Sequence, residues 1–334
     1  MPARRCGAGH ATTAADPRGG RRPPLDCERN VRIIAPLLAA CALLLLLPDD
    51  ARAFGPATHI FLGSQLMESL HLLPAAVATL LRRYPMSFLY GTVAADISLA
   101  KKYVPAGRHS HYWHVGEEIL EAAPNDRLRA VGLGYLAHLA ADTIAHNYFV
   151  PRQLVLTSST RALGHSYWEH RLDARLGPGY SNRARDVVIG YEHSEADLLF
   201  DQVLSGTIFS FQTNRRIFRG MIRFQDNERW QAVFERVLQS SRWDLADDVV
   251  TGYTALAFDY VVDYLVRRRR SLPAALDPIG DFNLGLAKKV RRLALREGAW
   301  RDRALLASIA DDFFPLPERT LGYWERRGPE GAAA

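Results

Sequence analysis

Cysteine is nearly absent from this sequence, and this limits the chemistry available to the chain. The three cysteines are Cys6, Cys27 and Cys41, so no residue after position 41 carries a thiol. This excludes disulfide bonds and thiolate metal sites from the main body. An excess of positive charge is also missing there. Eight arginines and five acidic residues lie in the first 53 residues, which leaves a net charge of only +3 for the rest. A balance this small gives no support to nucleic-acid binding.

Alternating β-type patterns are scarce as well, and helical periodicity takes their place. The chain has 334 residues, of which 48% are hydrophobic and 23% charged, a globular composition. Apolar residues recur with a period of about 3.6 in residues 61–72, 128–149, 167–176, 230–238 and 245–266. The last of these is interrupted by Asp259 and Asp263, which predicts an amphipathic helix and not a membrane span. We expect an all-α fold, with one multi-helix domain over residues 54–270 and a C-terminal helical extension over 271–334.

The N-terminal region has the composition of an export signal. Residues 1–31 are rich in Arg, Gly, Pro and Ala without apolar periodicity, which indicates disorder or an upstream start-site error. Residues 32–53 contain a leading arginine, an apolar run over 33–47 and a small-x-small sequence ending at Ala53, the three parts of a secretory signal. The run is short for a membrane-spanning helix, which needs about 20 residues.

Cleavage after Ala53 would make Phe54 the first residue of an exported protein, either periplasmic or secreted. An uncleaved N-terminal anchor is one alternative. Lipidation at Cys41 is a further, minor alternative, because the apolar run continues beyond that cysteine where a lipoprotein would turn polar.

Histidine is the conspicuous residue of the main body, since ten of the eleven histidines lie between positions 59 and 193. The strongest pattern is His138, Asp142 and His146, spaced by four residues in a helical segment. Steps of four drift only about 40° around a helix and rise about 6 Å, so the three side chains project into one cleft. Their neighbours are apolar, and metal ligation is one way to satisfy charge in a buried place. A buried hydrogen-bonded histidine network is the alternative.

Other residues extend this set. His165 and Glu169 form a second pair at a spacing of four that could share one zinc ion, although such a pair is also common as a surface hydrogen bond. Asp173 lies four residues further on and could support a ligating histidine or form a solvated salt bridge. The remaining candidates upstream are His59, Asp96 (alternatively a helix or loop cap), and the three imidazoles of His109, His111 and His114.

Without thiols, this mixture of nitrogen and oxygen ligands suits zinc best. The candidates outnumber the ligands of a single four-coordinate ion, so we expect two to three zinc ions. Clustered zinc lowers the pKa of bound water towards 7 and binds the oxygens of a phosphoester during in-line displacement.

The order of these residues resembles the zinc-dependent phospholipase C superfamily, over residues 54–173. That superfamily also includes the single-strand-specific zinc nucleases and the N-terminal domain of glycosylphosphatidylinositol-specific phospholipase D. The resemblance implies an all-helical fold with a metal cleft between helices. It also implies a ligand set, with Asp96 as the base for the attacking water. One ion would take the amine and carbonyl of Phe54 with His59 and Asp142, the second Asp96, His111 and His138, and the third His146, His165 and Glu169.

The sequence departs from the family pattern at its start, where Phe54 replaces the common tryptophan and His59 follows unusually soon. The resemblance therefore indicates metal binding and a reaction class more directly than a particular substrate. We expect an exported zinc-dependent phosphodiesterase that hydrolyses phospholipid headgroups, with a phospholipid or membrane surface as its substrate. A non-catalytic zinc-binding envelope protein is the alternative. A zinc nuclease is less favoured, because the body is near neutral and lacks the disulfides of secreted nucleases. The pattern predicts no oligomeric state.

Overall fold

The computed structural model describes residues 54–99, 103–158, 164–207, 209–225, 236, 239–241 and 243–328. All of them belong to one compact unit, Pro48–Ala334. The expectations for residues 1–31, for the signal at 32–53 and for Cys41 lie outside the described residues, as does most of the helix predicted over 230–238.

Helices joined by turns make up the described part of the chain, and no strand occurs in it, which confirms the all-α prediction. In chain order they are α1 (Pro56–Met67), α2 (Ala75–Arg83), α3 (Pro85–Ala94), α4 (Trp113–Glu121), α5 (Asp126–Ile144), α6 (Val150–Leu156), α7 (His165–Leu176), α8 (Pro178–Ile189), α9 (Ser194–Val203), α10 (Phe211–Gln225), α11 (Asp247–Arg267), α12 (Asp281–Glu297) and α13 (Arg303–Phe313). A π-helical turn, Ala145–Phe149, joins α5 to α6, and a 3-10 turn, Ala95–Ile97, follows α3.

Helix α5 runs through the middle of the core, with α3, α4 and α11 packed around it. Its apolar residues lie on every side, and nearly all of it after the first turn is buried. Helix α11 is buried on more sides than an amphipathic pattern predicts. Asp259 and Asp263 can be buried in it because they accept hydrogen bonds from the backbone N–H groups of Trp324 and Leu272. The helix is long and apolar enough to cross a membrane, but 78% of the relevant window is buried inside the protein.

Two glycines allow α3 and α5 to cross at backbone contact. A Cβ added to Gly91 would lie 2.1 Å from the Val131 carbonyl oxygen, and one added to Gly134 would lie 2.1 Å from the Phe88 carbonyl oxygen. No larger residue fits at either position without moving the backbone. This close approach places the carbonyl oxygen of Thr92, on α3, next to a histidine of α5.

The turn after α5 differs from the unbroken α-helix that the sequence predicts. Pro151 has no N–H to donate to the carbonyl oxygen of Asn147, four residues earlier. The helix widens here instead, and the N–H of Val150 bonds to Ala145, five residues back. The side-chain amide of Asn283 donates to the Asn147 carbonyl oxygen over 3.3 Å. The π-helical turn therefore carries His146 at a rotation that a regular helix would not give.

Candidate metal centre

Asp142 lies at the centre of a buried group of imidazoles. Its Oδ2 is 3.1 Å from Nε2 of both His111 and His138, and its Oδ1 is 3.3 Å from Nε2 of His59. Nε2 of His111 is also 3.6 Å from Oδ1 of Asp96. All five residues are at most 3% exposed. The titratable side chains of four segments of the chain thus meet at one point. These segments are α1, the turn after α3, the loop before α4, and α5.

The outer nitrogens of three imidazoles are held by the surrounding protein. Nδ1 of His138 lies 2.9 Å from the carbonyl oxygen of Thr92, and Nδ1 of His146 contacts that of Pro278. A carbonyl can only accept, so both Nδ1 atoms carry the proton. The hydroxyl of Ser110 donates to a backbone carbonyl and can accept from Nδ1 of His111, 3.2 Å away. Neutral imidazoles oriented in this way present their Nε2 lone pairs as ligand atoms.

The cluster has the properties of a cation site. Nε2 of His111 and Nε2 of His138 lie 3.1 Å apart, a contact between two lone pairs when both rings are neutral and carry their proton on Nδ1. Among the described residues, neither oxygen of Asp142 accepts a hydrogen bond of normal geometry. A buried carboxylate without such partners is costly. A divalent cation bound between these atoms would accept the imidazole lone pairs and neutralise the negative charge of Asp142. The residues present therefore fit zinc.

The pKa shifts of His59 and Asp142 favour the protonation states that metal binding needs, and the shift of His138 opposes them. Burial lowers the pKa of His59, and the proximity of His138 lowers it further. Burial acts to raise the pKa of Asp142, but His138 and the other imidazoles outweigh it and hold that pKa well below its usual range. Asp142 in turn raises the pKa of His138 against the effect of burial. Without a cation, a proton therefore competes for this imidazole.

A second part of the centre lies on α7. Nε2 of His165 is 3.0 Å from Oε1 of Glu169, and its ring lies 5.2 Å from that of His146. Burial holds the pKa of His165 well below its usual value, and nearby His146 and Lys288 add to this effect. Within the described part of the chain, neither ring nitrogen of His165 has a hydrogen bond of normal geometry. The ring of His146 lies 6.3 Å from that of His111, so the two parts are adjacent.

Asp173 forms hydrogen bonds to the start of α1, in place of the expected support of a ligating histidine or a solvated salt bridge. Its carboxylate accepts hydrogen bonds from the backbone N–H groups of Ala57 and Thr58 and from the Thr58 hydroxyl, at 2.6–3.2 Å. Burial raises its pKa to about 6, and these hydrogen bonds oppose the shift. Gly55 makes the approach possible, because a Cβ there would lie 2.0 Å from Asp173 Oδ2. Asp173 thus caps α1 from α7.

This cap holds the start of the described chain against the metal centre. Phe54 is fully buried, and its ring packs edge-on against His59 with 6.1 Å between centroids. Phe54 is therefore close to the cluster.

Only one of the three clustered imidazoles between positions 109 and 114 enters the centre. His111 is fully buried there. His114 is exposed, and its Nε2 lies 2.7 Å from the Gly107 carbonyl oxygen. Nδ1 of His109 accepts a hydrogen bond from the backbone N–H of His111, so His109 supports the ligand segment from outside.

Five of the candidate ligands form two overlapping groups. One contains His59, Asp96 and His138, and the other contains His111, His138 and Asp142. Within each group the ligand atoms lie within 4.8 Å of one another.

The centre meets a cleft at Asp96 and Glu169. The cleft is narrow, and Phe218, Met221 and Ile222 of α10 form an apolar wall of it, of which Phe218 and Ile222 are buried. Sequence patterns did not indicate this apolar wall, because the spacing of these residues is that of any core-facing helix.

Replacing His165 by Ala should lower the bound zinc by about one ion per chain, because His165 is a candidate ligand on α7. Metal analysis after dialysis of the tag-free protein measures this. The matched control is His193→Ala, since His193 is also buried but contacts the carbonyl oxygen of Val187 and stacks on Tyr90. Equal zinc content in both variants would contradict the role of His165.

Comparison with known proteins agrees with this geometry. Residues 58–209 match the family described as zinc dependent phospholipase C. Neither the curated proteins nor the solved structures gave a significant match. The matched region contains every candidate ligand from His59 to Glu169, while Phe54 and the Pro278 carbonyl lie outside it. The helical fold, the convergence of the imidazoles on Asp142 and this match together identify residues 58–209 as a region of the zinc-dependent phospholipase C superfamily.

Proposed function

We propose that the protein is an exported zinc-dependent phosphodiesterase that hydrolyses the headgroup phosphodiester of phospholipids. The observation that carries this proposal is the convergence of five buried imidazoles and three carboxylates at the end of a cleft. A structural zinc site needs the same ligand types but is closed to other molecules. The narrow cleft lined by Asp96 and Glu169 supports access of water to the centre, which a catalytic site needs.

Different residues of the chain have different roles in the proposed reaction. The chemistry that zinc supplies when bound is a lowered pKa of water, towards 7, and compensation of the negative charge on the phosphoryl oxygens. Asp96 lines the cleft, and its carboxylate accepts the proton of the attacking water. Behind the centre, the backbone carbonyls of Thr92 and Pro278 and the hydroxyl of Ser110 contact the Nδ1 atoms of the imidazoles and so orient these rings.

The walls of the cleft support a lipid substrate. Phe218, Met221 and Ile222 place apolar side chains beside Asp96 and Glu169, and of the three Met221 is the most exposed. An apolar wall suits the hydrocarbon part of a substrate whose phosphodiester lies at the metal ions. Binding of nucleic acid bases would instead need exposed aromatic stacking surfaces, and the two phenylalanines at the cleft, Phe54 and Phe218, are buried.

The test uses a protein that begins at Phe54, because the described residues begin there and all lie in one compact unit. We expect two to three zinc ions per chain and hydrolysis of phospholipid vesicles that stops on chelation and returns with zinc. Replacing Asp96 by Asn should lower the hydrolysis rate by roughly 10²–10⁴, the usual contribution of a general base. Zinc content should fall by at most one ion. Released phosphorylated headgroup is the readout.

Asp197→Asn serves as the control, since Asp197 is a buried carboxylate bonded to Tyr90 and Arg215. Its hydrolysis rate should equal that of the unmodified chain. Tight zinc without turnover of any phosphodiester would overturn the proposal in favour of a non-catalytic envelope protein. Cleavage of single-stranded DNA without cleavage of lipid would overturn it in favour of a nuclease.

A further inference from the structure

The outer face of α12 combines exposed apolar and basic side chains. Phe282 is 81% exposed and Leu293 is 52% exposed, and Lys289, Arg292 and Arg296 are exposed on the same side. Positions 282, 289, 293 and 296 are separated by seven, four and three residues, which is the spacing of one helical face. These five residues are the outer face of α12.

The opposite side of α12 is fixed to the protein. Leu284, Ala287, Arg291 and Ala294 are buried. The outer face is thus held in place while its two apolar residues remain outside the core. The helix as a whole has five basic residues and only two acidic ones, at its first and last positions. The contact of Arg296 with the adjacent Glu297 is exposed and contributes little.

Helix α12 also begins beside the metal centre. The carbonyl oxygen of Pro278 accepts from Nδ1 of His146, and the side chain of Asn283 donates to that of Asn147 over 3.1 Å. Gly280 has a φ of +66°, and a Cβ there would lie 2.5 Å from Cβ of His146. Phe282 follows only two residues later, so a surface that binds Phe282 lies close to the centre.

We propose that the outer face of α12 docks on a bilayer of anionic phospholipid, with Phe282 in the boundary between headgroups and acyl chains. An aromatic residue beside lysines and arginines on one helical face is the pattern of an interfacial helix. This inference rests on the proposed function and deepens it. Docking would hold the protein at an anionic lipid surface, so the substrates would be phospholipids with a net negative charge.

Charge complementarity selects anionic over zwitterionic lipid. A basic residue near an anionic surface contributes about 1 kcal/mol, about a fivefold change in partitioning. Lys289, Arg292 and Arg296 together therefore account for a factor of about 100. A phosphatidylcholine surface has no net charge and offers no such gain. Added salt should weaken the binding, because exposed charges are screened.

The experiment measures vesicle binding and lipid hydrolysis on the same samples. Zinc-loaded chain starting at Phe54 is sedimented with vesicles of phosphatidylglycerol or of phosphatidylcholine at low ionic strength. We expect binding to phosphatidylglycerol that falls about 100-fold in K289Q/R292Q/R296Q. The matched control R82Q/R83Q/R129Q removes the same charge from exposed positions elsewhere and should change binding less than twofold. Phe282→Ser should weaken binding about fivefold, and Leu198→Ser, also at an exposed apolar residue, should not.

Equal binding to both lipids, or equal loss in the two triple variants, would overturn the proposal. So would self-association that Phe282→Ser abolishes without any change in vesicle binding, which would assign the face to a second copy of the chain. Hydrolysis of soluble bis(p-nitrophenyl) phosphate should stay unchanged in all these variants. If no phosphodiester is hydrolysed while the selective vesicle binding remains, the proposed function fails and the docking face stands.

Discussion

Replacing Asp142 by Asn should remove at least two zinc ions per chain and lower phosphodiesterase activity by roughly 10³ or more. Asp142 lies within 3.3 Å of three imidazole nitrogens, so a single carboxylate organises the candidate ligands of both overlapping groups. Asparagine keeps the shape but loses the negative charge, and its amide NH2 group repels a cation where a carboxylate oxygen would bind it. Charge stabilisation by metal is worth several kcal/mol, and each 1.36 kcal/mol is tenfold in rate. Zinc content and kcat/KM measure the two effects.

The control for this prediction is another carboxylate on a core helix. Asp263 is as buried as Asp142 but accepts a hydrogen bond from the backbone N–H of Leu272 and contacts Arg267. Asp263→Asn should lower the free energy of unfolding by about 1–3 kcal/mol and leave the zinc content unchanged. If Asp142→Asn kept its zinc and its activity, the centre would not be organised around this carboxylate.

The parts of the centre that could be predicted are those that local geometry determines. His138 and Asp142 lie one helical turn apart in a segment that is apolar all round, so spacing and composition alone indicate a shared, buried face. The same holds for His165 and Glu169 on α7. These pairs need no information about the rest of the chain, because a helix of known period places them together.

Contacts between distant segments could not be predicted from spacing. The selection of His111 over its two neighbours depends on the loop before α4, where the Tyr135 hydroxyl donates to the Ser110 carbonyl oxygen over 2.6 Å. Asp173 caps α1 because Gly55 leaves room for it, which a helical pattern in α7 does not reveal. One signal was available: Pro151 removes a helical N–H and so indicates a break near His146.

The C-terminal region contributes to the centre although the motifs lie far upstream. The Pro278 carbonyl oxygen orients His146, and Asn283 bonds to the adjacent Asn147. Both come from the segment expected as a helical extension over 271–334. A backbone carbonyl has no residue-type signature, so its role becomes visible only when the helices are packed.

Replacing Gly91 by Ala should destabilise the protein by about 3 kcal/mol or more, the upper range for an overpacked core. The added methyl group would lie 2.1 Å from the Val131 carbonyl oxygen, and backbone on both sides leaves no flexible side chain to move. Helices α3 and α5 would have to separate, which weakens the 2.9 Å contact between Thr92 and His138. Zinc content should therefore fall together with the denaturation midpoint.

Gly220→Ala tests whether this loss comes from the crossing of the two helices. Gly220 lies inside α10, and nothing lies within 4 Å of a Cβ added there. Alanine should stabilise that helix by up to about 1 kcal/mol, the difference in helix propensity. The two Gly→Ala changes thus have opposite signs because one position faces a backbone and the other faces open space. Urea denaturation and metal analysis of both variants measure the two effects. Equal stability of the two variants would contradict the backbone contact between α3 and α5 that positions His138.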